Sequence, residues 1–224
     1  MTDEQANTAK TRILVLLGPP GGGKGTQAKK LAGEFGWKHV STGDVLREEV
    51  SNGTVRGKRA RAIMESGELV PDELVGEIIR SRIEQREGIE GFILDGFPRT
   101  VAQAEFLAEI AQDLPIHALG IEVEEDQVVK RLSGRRFCPT CGNIYNIYFS
   151  PPEVPGVCEC GTKLIRRKDD REDVIRERLR VYHEQTRPVI DFYRASGKYF
   201  PVDGNWEPDD VYDELRKVVG TLPG

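Results

Sequence analysis

Short apolar runs alternate along the chain with longer amphipathic stretches. Arg12 to Leu17, Lys38 to Ser41, Gly91 to Leu94, His117 to Val123 and Tyr199 to Val202 read as strands. The first is apolar at Ile13-Leu14-Val15-Leu16-Leu17, the pattern of a strand buried on both faces. Leu74, Val75, Ile78, Ile79 and Ile83 instead recur at helical spacing, and Pro71 and Asp72 suit that helix's first turn. A long helix is expected from about Glu172 to Ala195, with an apolar seam through Ile175, Leu179, Tyr182, Val189, Ile190 and Tyr193 and a kink at Pro188. Strands alternating with helices predict an α/β fold, a parallel sheet flanked by helices. Such sheets bind ligands beyond the C-terminal ends of their strands, which is where Gly18, Asp95 and the turn Ser41-Thr42-Gly43-Asp44 fall.

Two segments break the alternation. Gly43 to Gly67 carries two short helix patterns and no strand, which predicts a small helical insertion. Gly134 to Lys168 carries all four cysteines, four prolines and the β-leaning piece Ile144-Tyr145-Asn146-Ile147-Tyr148-Phe149, which predicts a small β insertion. There is no internal repeat and no low-complexity tract.

With 224 residues the chain suffices for one main domain with small inserted lobes. A formal charge of −5 excludes a general nucleic-acid or membrane binder, and no apolar run approaches the ~20 residues of a membrane span. Met1 to Thr11 is polar, without the apolar region of a signal peptide, so a cytoplasmic protein with a frayed N-terminus is expected. No apolar stripe demands an oligomer, and a monomer is expected.

Behind the first strand stands Gly18-Pro19-Pro20-Gly21-Gly22-Gly23-Lys24-Gly25-Thr26, followed by a helical pattern. Glycines let backbone N–H groups converge on an anion, the helix start adds partial positive charge, and Lys24 can reach the outer phosphates of a nucleotide. The bland alternative is a glycine-rich turn with an incidental lysine, which strand before and helix after disfavour. The common pattern G-x-x-x-x-G-K-[ST] is not met literally, because Gly25 stands where a Mg²⁺-ligating hydroxyl would be and Thr26 comes one residue late.

Phosphoryl transfer needs positive charge around the transferring group, Mg²⁺, aligned substrates and no water. Arg99 lies just past a strand in Asp95-Gly96-Phe97-Pro98-Arg99-Thr100, with Asp95 placed as a second acidic element near Mg²⁺. Arg131 and Arg135 are four apart, hence on one face if helical, and Arg167 and Arg178 follow the cysteine segment. Any one of these arginines alone would more often be a surface charge worth ~0–1 kcal/mol. Their grouping at both ends of one insertion weakens that alternative.

Cys138-Pro139-Thr140-Cys141, then sixteen residues, then Cys158-Glu159-Cys160 approaches the paired-knuckle spacing of a tetrahedral zinc site. Reduced thiols in a metal-free lobe, or a disulfide, are the alternatives. His39, His117 and His183 are scattered and read as structural or surface residues.

Taken in order, Gly18 to Gln27, Ser41-Thr42-Gly43-Asp44-Val45-Leu46-Arg47, Asp95 to Thr100 with Gln103, Gly134-Arg135-Arg136 and Arg167-Lys168-Asp169-Asp170 resemble the adenylate kinases of the long-lid bacterial type over nearly the whole chain. The late threonine is that family's usual form of the loop. The resemblance implies Mg²⁺-dependent phosphoryl transfer from ATP to AMP giving two ADP. It implies a P-loop core (1–40, 71–133, 169–224), an AMP-binding insertion (41–70) and a zinc-bearing lid (134–168). Gly21, Gly22, Gly23, Lys24, Gly25 and Thr26 with Arg131 and Arg135 would hold ATP. Thr42, Arg47, Arg99, Gln103, Arg167 and Arg178 would hold AMP, with Gln103 at the adenine edge. Lys24, Arg99, Arg131, Arg135, Arg167 and Arg178 would act on the phosphoryl groups, Asp95 would order the Mg²⁺ hydration shell, and Asp169 and Asp170 would latch the lid. The family's Phe97-Pro98 bond would be cis. Its zinc lids space the second ligand pair one residue wider, which puts Cys160 in question. Rival readings are a GTP-dependent AMP kinase or a CMP/UMP kinase and, from another class, a zinc-ribbon nucleic-acid binder with a nucleotide switch, suggested by Arg135, Arg136, Arg166, Arg167 and Lys168 beside the cysteines.

Overall fold

The computed structural model describes residues 11–223. The expected frayed N-terminus lies, as far as residue 10, outside them. Five parallel strands, β1 (Arg12–Leu17), β2 (Lys38–Ser41), β3 (Gly91–Asp95), β4 (Ile116–Glu122) and β7 (Tyr199–Asp203), form one sheet in the order β2-β3-β1-β4-β7. The strands fall where the apolar runs predict them, except that β4 begins and ends one residue earlier, while β3 and β7 each run one residue further.

Alternation along β1 explains the three layers. Ile13, Val15 and Leu17 face one apolar cluster, packed with α4 (Asp72–Glu84), α5 (Val101–Ile110) and α8 (Arg187–Ala195). Leu14 and Leu16 face a second, packed with α1 (Lys24–Phe35) and α9 (Pro208–Thr221). Burying both faces requires a continuous apolar run, and β1 has one.

The helical insertion consists of α2 (Thr42–Ser51) and α3 (Val55–Ser66). Ser41-Thr42-Gly43-Asp44 is no free turn: Ser41 ends β2 and caps α2, its Oγ accepting the Asp44 amide at 3.2 Å. Pro71 is likewise the N-cap residue of α4 rather than part of its first turn. Beyond α6 (Glu125–Gly134) the cysteine lobe holds a two-stranded antiparallel sheet, β5 (Arg135–Phe137) and β6 (Ile144–Asn146). The β-leaning run therefore stops at Asn146, whose side chain accepts the Tyr148 amide and turns the chain.

The long helix is three pieces. α7 (Glu172–Val181) leads into a π-helical turn, Tyr182–Thr186, and then into α8. Pro188 does not kink a continuous α-helix; it sits in the first turn of α8. Its missing N–H and ring crowding act on the preceding turn, which widens so that the Arg187 amide bonds Tyr182 O, five residues back. Among the described residues no helix is long and apolar enough to cross a membrane.

Candidate functional site: a glycine loop, a charge cluster and a cysteine knot

The glycine loop leaves β1 beneath the neighbouring strand β4. A Cβ on Gly18 would stand 2.4 Å from the carbonyl oxygen of Ile121, so only glycine permits this approach. α1 starts at Lys24 with Gly23 as its N-cap and no side-chain cap. The lysine curls over the loop, its Nζ donating to Gly18 O and Pro19 O at 2.7 Å each. Burial lowers its pKa to about 8; Asp95 pulls the other way, while Arg99, Arg178 and Arg135 lower it further. Burial tends to raise the Asp95 carboxyl, but the His39 imidazole at 3.8 Å, with Lys24 and Arg99, holds it below the usual carboxylate range.

Arg135 grips the fully buried Asp170 through two parallel bonds, Nε to Oδ2 at 2.8 Å and Nη2 to Oδ1 at 2.5 Å. Arg178 donates to Asp169 Oδ2 at 2.9 Å, and burial lowers its pKa to about 10. Arg167 stacks over the Phe137 ring at 4.8 Å and lies 3.7 Å from Asp44; burial, with Arg47 and Arg135 nearby, lowers its pKa to about 9. These guanidiniums all remain charged at neutral pH. Asp169 and Asp170 therefore tie the far end of the cysteine lobe to its near end, at Arg135, and to α7.

Beside this cluster, over the ends of β2 and β3, opens a pocket. Leu46, Met64, Val70 and Val75 give it an apolar wall, and Thr42, Arg47, Arg99 and Gln103 supply polar groups. Thr42 Oγ1 donates to Gly96 O at 3.0 Å and Arg99 Nε to the same carbonyl at 2.9 Å. The Phe97-Pro98 bond between them is cis. Arg47 Nε, at the pocket, and Arg167 Nε, beside it, are buried without a hydrogen-bond partner among the described residues, as donors awaiting an anion would be.

In the cysteine lobe the sulfurs of Cys138, Cys141, Cys158 and Cys160 all lie within 4.8 Å of one another. Cys138 to Cys160 is 3.5 Å and Cys141 to Cys158 is 3.4 Å, close to the ~3.8 Å edge of a tetrahedron with ~2.3 Å zinc–sulfur bonds. The four thiols thus fit a zinc ion in number, chemistry and spacing. Each knuckle closes on a glycine amide, Gly142 N to Cys138 O at 3.0 Å and Gly161 N to Cys158 O at 2.8 Å. The second turn is one residue tighter than the first, closing from residue i to i+3 rather than i+4, and in each the second cysteine directly precedes the glycine, so the shorter turn still brings the Cys160 sulfur into the cluster.

The family model for adenylate kinase matches residues 16–198. The chain belongs to the adenylate kinase family. It is 48% identical over 211 residues to an adenylate kinase of Methanothrix thermoacetophila, spanning 92% of this chain and 97% of the relative. Identity to an adenylate kinase of Petrotoga mobilis is 48% over 210 residues (92% and 96%), and to one of Archaeoglobus fulgidus 47% over 210 residues (92% and 97%). The parallel sheet with helices on both faces is the fold expected for this family.

Of the residues the adenylate kinase resemblance singles out, Lys24, Asp95, Arg99, Arg135 and Arg178 come together in one cluster, with Arg47, Arg167, Asp169 and Asp170 at its side. Arg131 does not join it. α6 ends at Gly134 and Arg135 is extended, so the two arginines share no helical face; Arg131 Nη2 turns instead to Gly204 O, 2.9 Å away in the loop after β7. Two further residues touch the site without a motif to announce them. His39 contacts Asp95 because β2 pairs with β3 and sets His39 beside Ile93, and Asp72 contacts Gln103 because α4 and α5 start side by side.

Proposed function

We propose that the chain transfers the terminal phosphoryl group of Mg-ATP to AMP, reversibly, giving two ADP by direct in-line displacement without a covalent enzyme intermediate. One observation carries the reading: Lys24, Arg99, Arg135 and Arg178 are near enough for the three arginines to depress the charged form of the lysine. That convergence between a glycine loop and a lined pocket costs stability in the absence of a polyanion, and two bound phosphate chains would repay it.

In this reading the loop amides of Gly21 to Thr26 and Lys24 hold the donor phosphates, and Arg131 lies toward the rest of the donor. Thr42, Arg47, Arg99, Gln103 and Arg167 receive AMP, with Arg178 at the pocket's rim. Arg135 and Arg178 neutralise charge on the group in flight. Asp95 would order the water shell of the Mg²⁺ that accompanies ATP, an ion whose charge would screen the donor phosphates. Segment 41–70 closes over the acceptor and segment 134–168 over the donor, excluding the water that would otherwise hydrolyse ATP. Cys138, Cys141, Cys158 and Cys160 hold a structural zinc that braces the lid and takes no part in the chemistry.

A phosphoryl-transfer assay over a panel of donors and acceptors tests the assignment. AMP should exceed CMP, UMP and GMP by at least about tenfold in kcat/KM, about 1.4 kcal/mol. Equal turnover of CMP or UMP would sink it, and a GTP preference would move the chain to a sister kinase.

A further inference from the structure

Gln103 is 3% exposed, at the third position of α5, where Thr100 Oγ1 accepts its backbone amide at 3.1 Å. Its side-chain amide is held from two sides. The backbone N–H of Arg99 donates to Oε1 at 2.7 Å, and Nε2 donates to Oδ1 of Asp72 at 2.6 Å. A backbone N–H can only donate and a carboxylate can only accept, so the amide has one permitted orientation. Turning it by half a rotation would set N–H against NH₂ and oxygen against carboxylate, losing both bonds and adding two repulsions.

We propose that Asp72 is a positioning residue that fixes the Gln103 amide and thereby selects the acceptor base. The proposal rests on the reading that Gln103 meets that base. With the two internal bonds made, one lone pair of Oε1 and one N–H of Nε2 remain for a ligand. They match a base that offers an amino N–H beside a ring-nitrogen acceptor, which is the edge of adenine. Hypoxanthine and guanine present the reverse, a carbonyl acceptor beside a ring N–H, and meet like groups at both points. Asp72 stands exposed in the first turn of α4, where its second oxygen also accepts from Thr100 Oγ1 at 3.4 Å. It thereby links the starts of α4 and α5 at the pocket.

The test compares AMP with inosine monophosphate as acceptor, at saturating Mg-ATP, in four variants. Asp72→Ala removes one of the two bonds that orient the amide, leaving only the Arg99 N–H on Oε1, so the AMP-to-IMP ratio of kcat/KM should fall at least about tenfold, the loss expected for one hydrogen bond, with the IMP value rising. Asp72→Ser suits a helix start but is too short to reach Gln103, and should repeat the fall. Asp72→Asn loses the same charge yet keeps a carbonyl acceptor, and should hold the ratio within about threefold of the wild type. KM for ATP should not move. Gln103→Ala should collapse the ratio; if it does not, the base-contact reading fails and this proposal with it. If Gln103→Ala collapses the ratio while Asp72→Ala and Asp72→Ser, both folded, leave it unchanged, Asp72 positions nothing and the base contact stands.

Discussion

A Cβ on Gly25 would stand 3.1 Å from Oδ2 of Asp95. This contact accounts for the loop's departure from the common phosphate-binding pattern. A serine or threonine after the lysine would press on the carboxylate at the end of β3. Glycine leaves Asp95 its place against His39 and Lys24, and the hydroxyl moves one residue on, to Thr26, which is exposed.

Substituting Gly25 should therefore separate activity from stability. Gly25 lies in the first turn of α1, where alanine is intrinsically better than glycine by up to about 1 kcal/mol. Gly25→Ala should leave the melting temperature unchanged or higher, yet lower kcat at least about tenfold by displacing Asp95. Gly25→Ser, which restores the common pattern, should do the same. Full activity in either folded variant would show that Asp95 does not need that space.

The charge cluster makes a similar separation. Lys24 and Arg99 both have their pKa lowered by burial, so each carries a desolvation cost in the free protein. Lys24→Met and Arg99→Ala should reduce kcat by about 10³-fold, the scale of a cation at a transferring phosphate, with little loss in urea-unfolding free energy. A variant that retains near-normal kcat would return its residue to a structural role.

Much of this was visible in the sequence, for a physical reason. β1 is buried on both faces and must be apolar throughout, and the glycine loop is held by backbone sterics, as at Gly18. Such local constraints leave marks on neighbouring residues. The two-sided grip on Gln103 left none, because Asp72 is 31 positions away and reaches it only through the packing of α4 on α5. The shared face of Arg131 and Arg135 depended on a helix running through both: a four-residue spacing means a shared face only while the helix lasts, and α6 ends between the two arginines. The break ahead of Pro188 was expected as a kink, but its form depended on which carbonyl could bond the Arg187 amide, a matter of three-dimensional fit.

Lys24 also gives the site a pH signature. Its pKa is about 8 in the folded chain against 10.5 for an ordinary lysine. Below about pH 8 both folded and unfolded chains hold the proton, and the folded state bears the full cost of the enclosed ammonium. Between about 8 and 10.5 the unfolded chain binds more protons, so this group's contribution to stability rises with pH. Activity should run the other way. The donor's kcat/KM should fall above about pH 8 as free enzyme loses the Lys24 charge, whereas kcat should hold to higher pH because bound phosphates raise the lysine's pKa. Lys24→Arg should abolish that inflection; a wild-type kcat/KM flat to pH 9.5 would contradict it.

The cysteine lobe offers the last test, because its own core is too small to hold it. Its buried cluster is Cys138, Tyr145, Cys158 and Leu164, while Ile144, Ile147, Tyr148, Phe149, Val154 and Ile165 stay exposed. A segment of roughly 35 residues with so little apolar burial needs a staple, and four convergent thiolates would provide one on binding zinc. Two of the cysteines are themselves half of that core, so replacing them would confuse packing with ligation. Cys141 and Cys160 are exposed and make the cleaner variants. Protein purified without chelator should contain one equivalent of zinc. Removing it, or making Cys141→Ser, should lower the lobe's melting temperature and its resistance to protease while leaving activity at low temperature largely intact. Cys160→Ser is the sharper variant, since Cys160 sits one residue early in its knuckle yet brings its sulfur to 3.5 Å from that of Cys138. It should match Cys141→Ser in zinc loss and protease sensitivity. Less than about half an equivalent of zinc, with all four thiols freely titratable, would reject the site; tight zinc in Cys160→Ser would leave the site with three cysteine ligands and give the fourth position to another group.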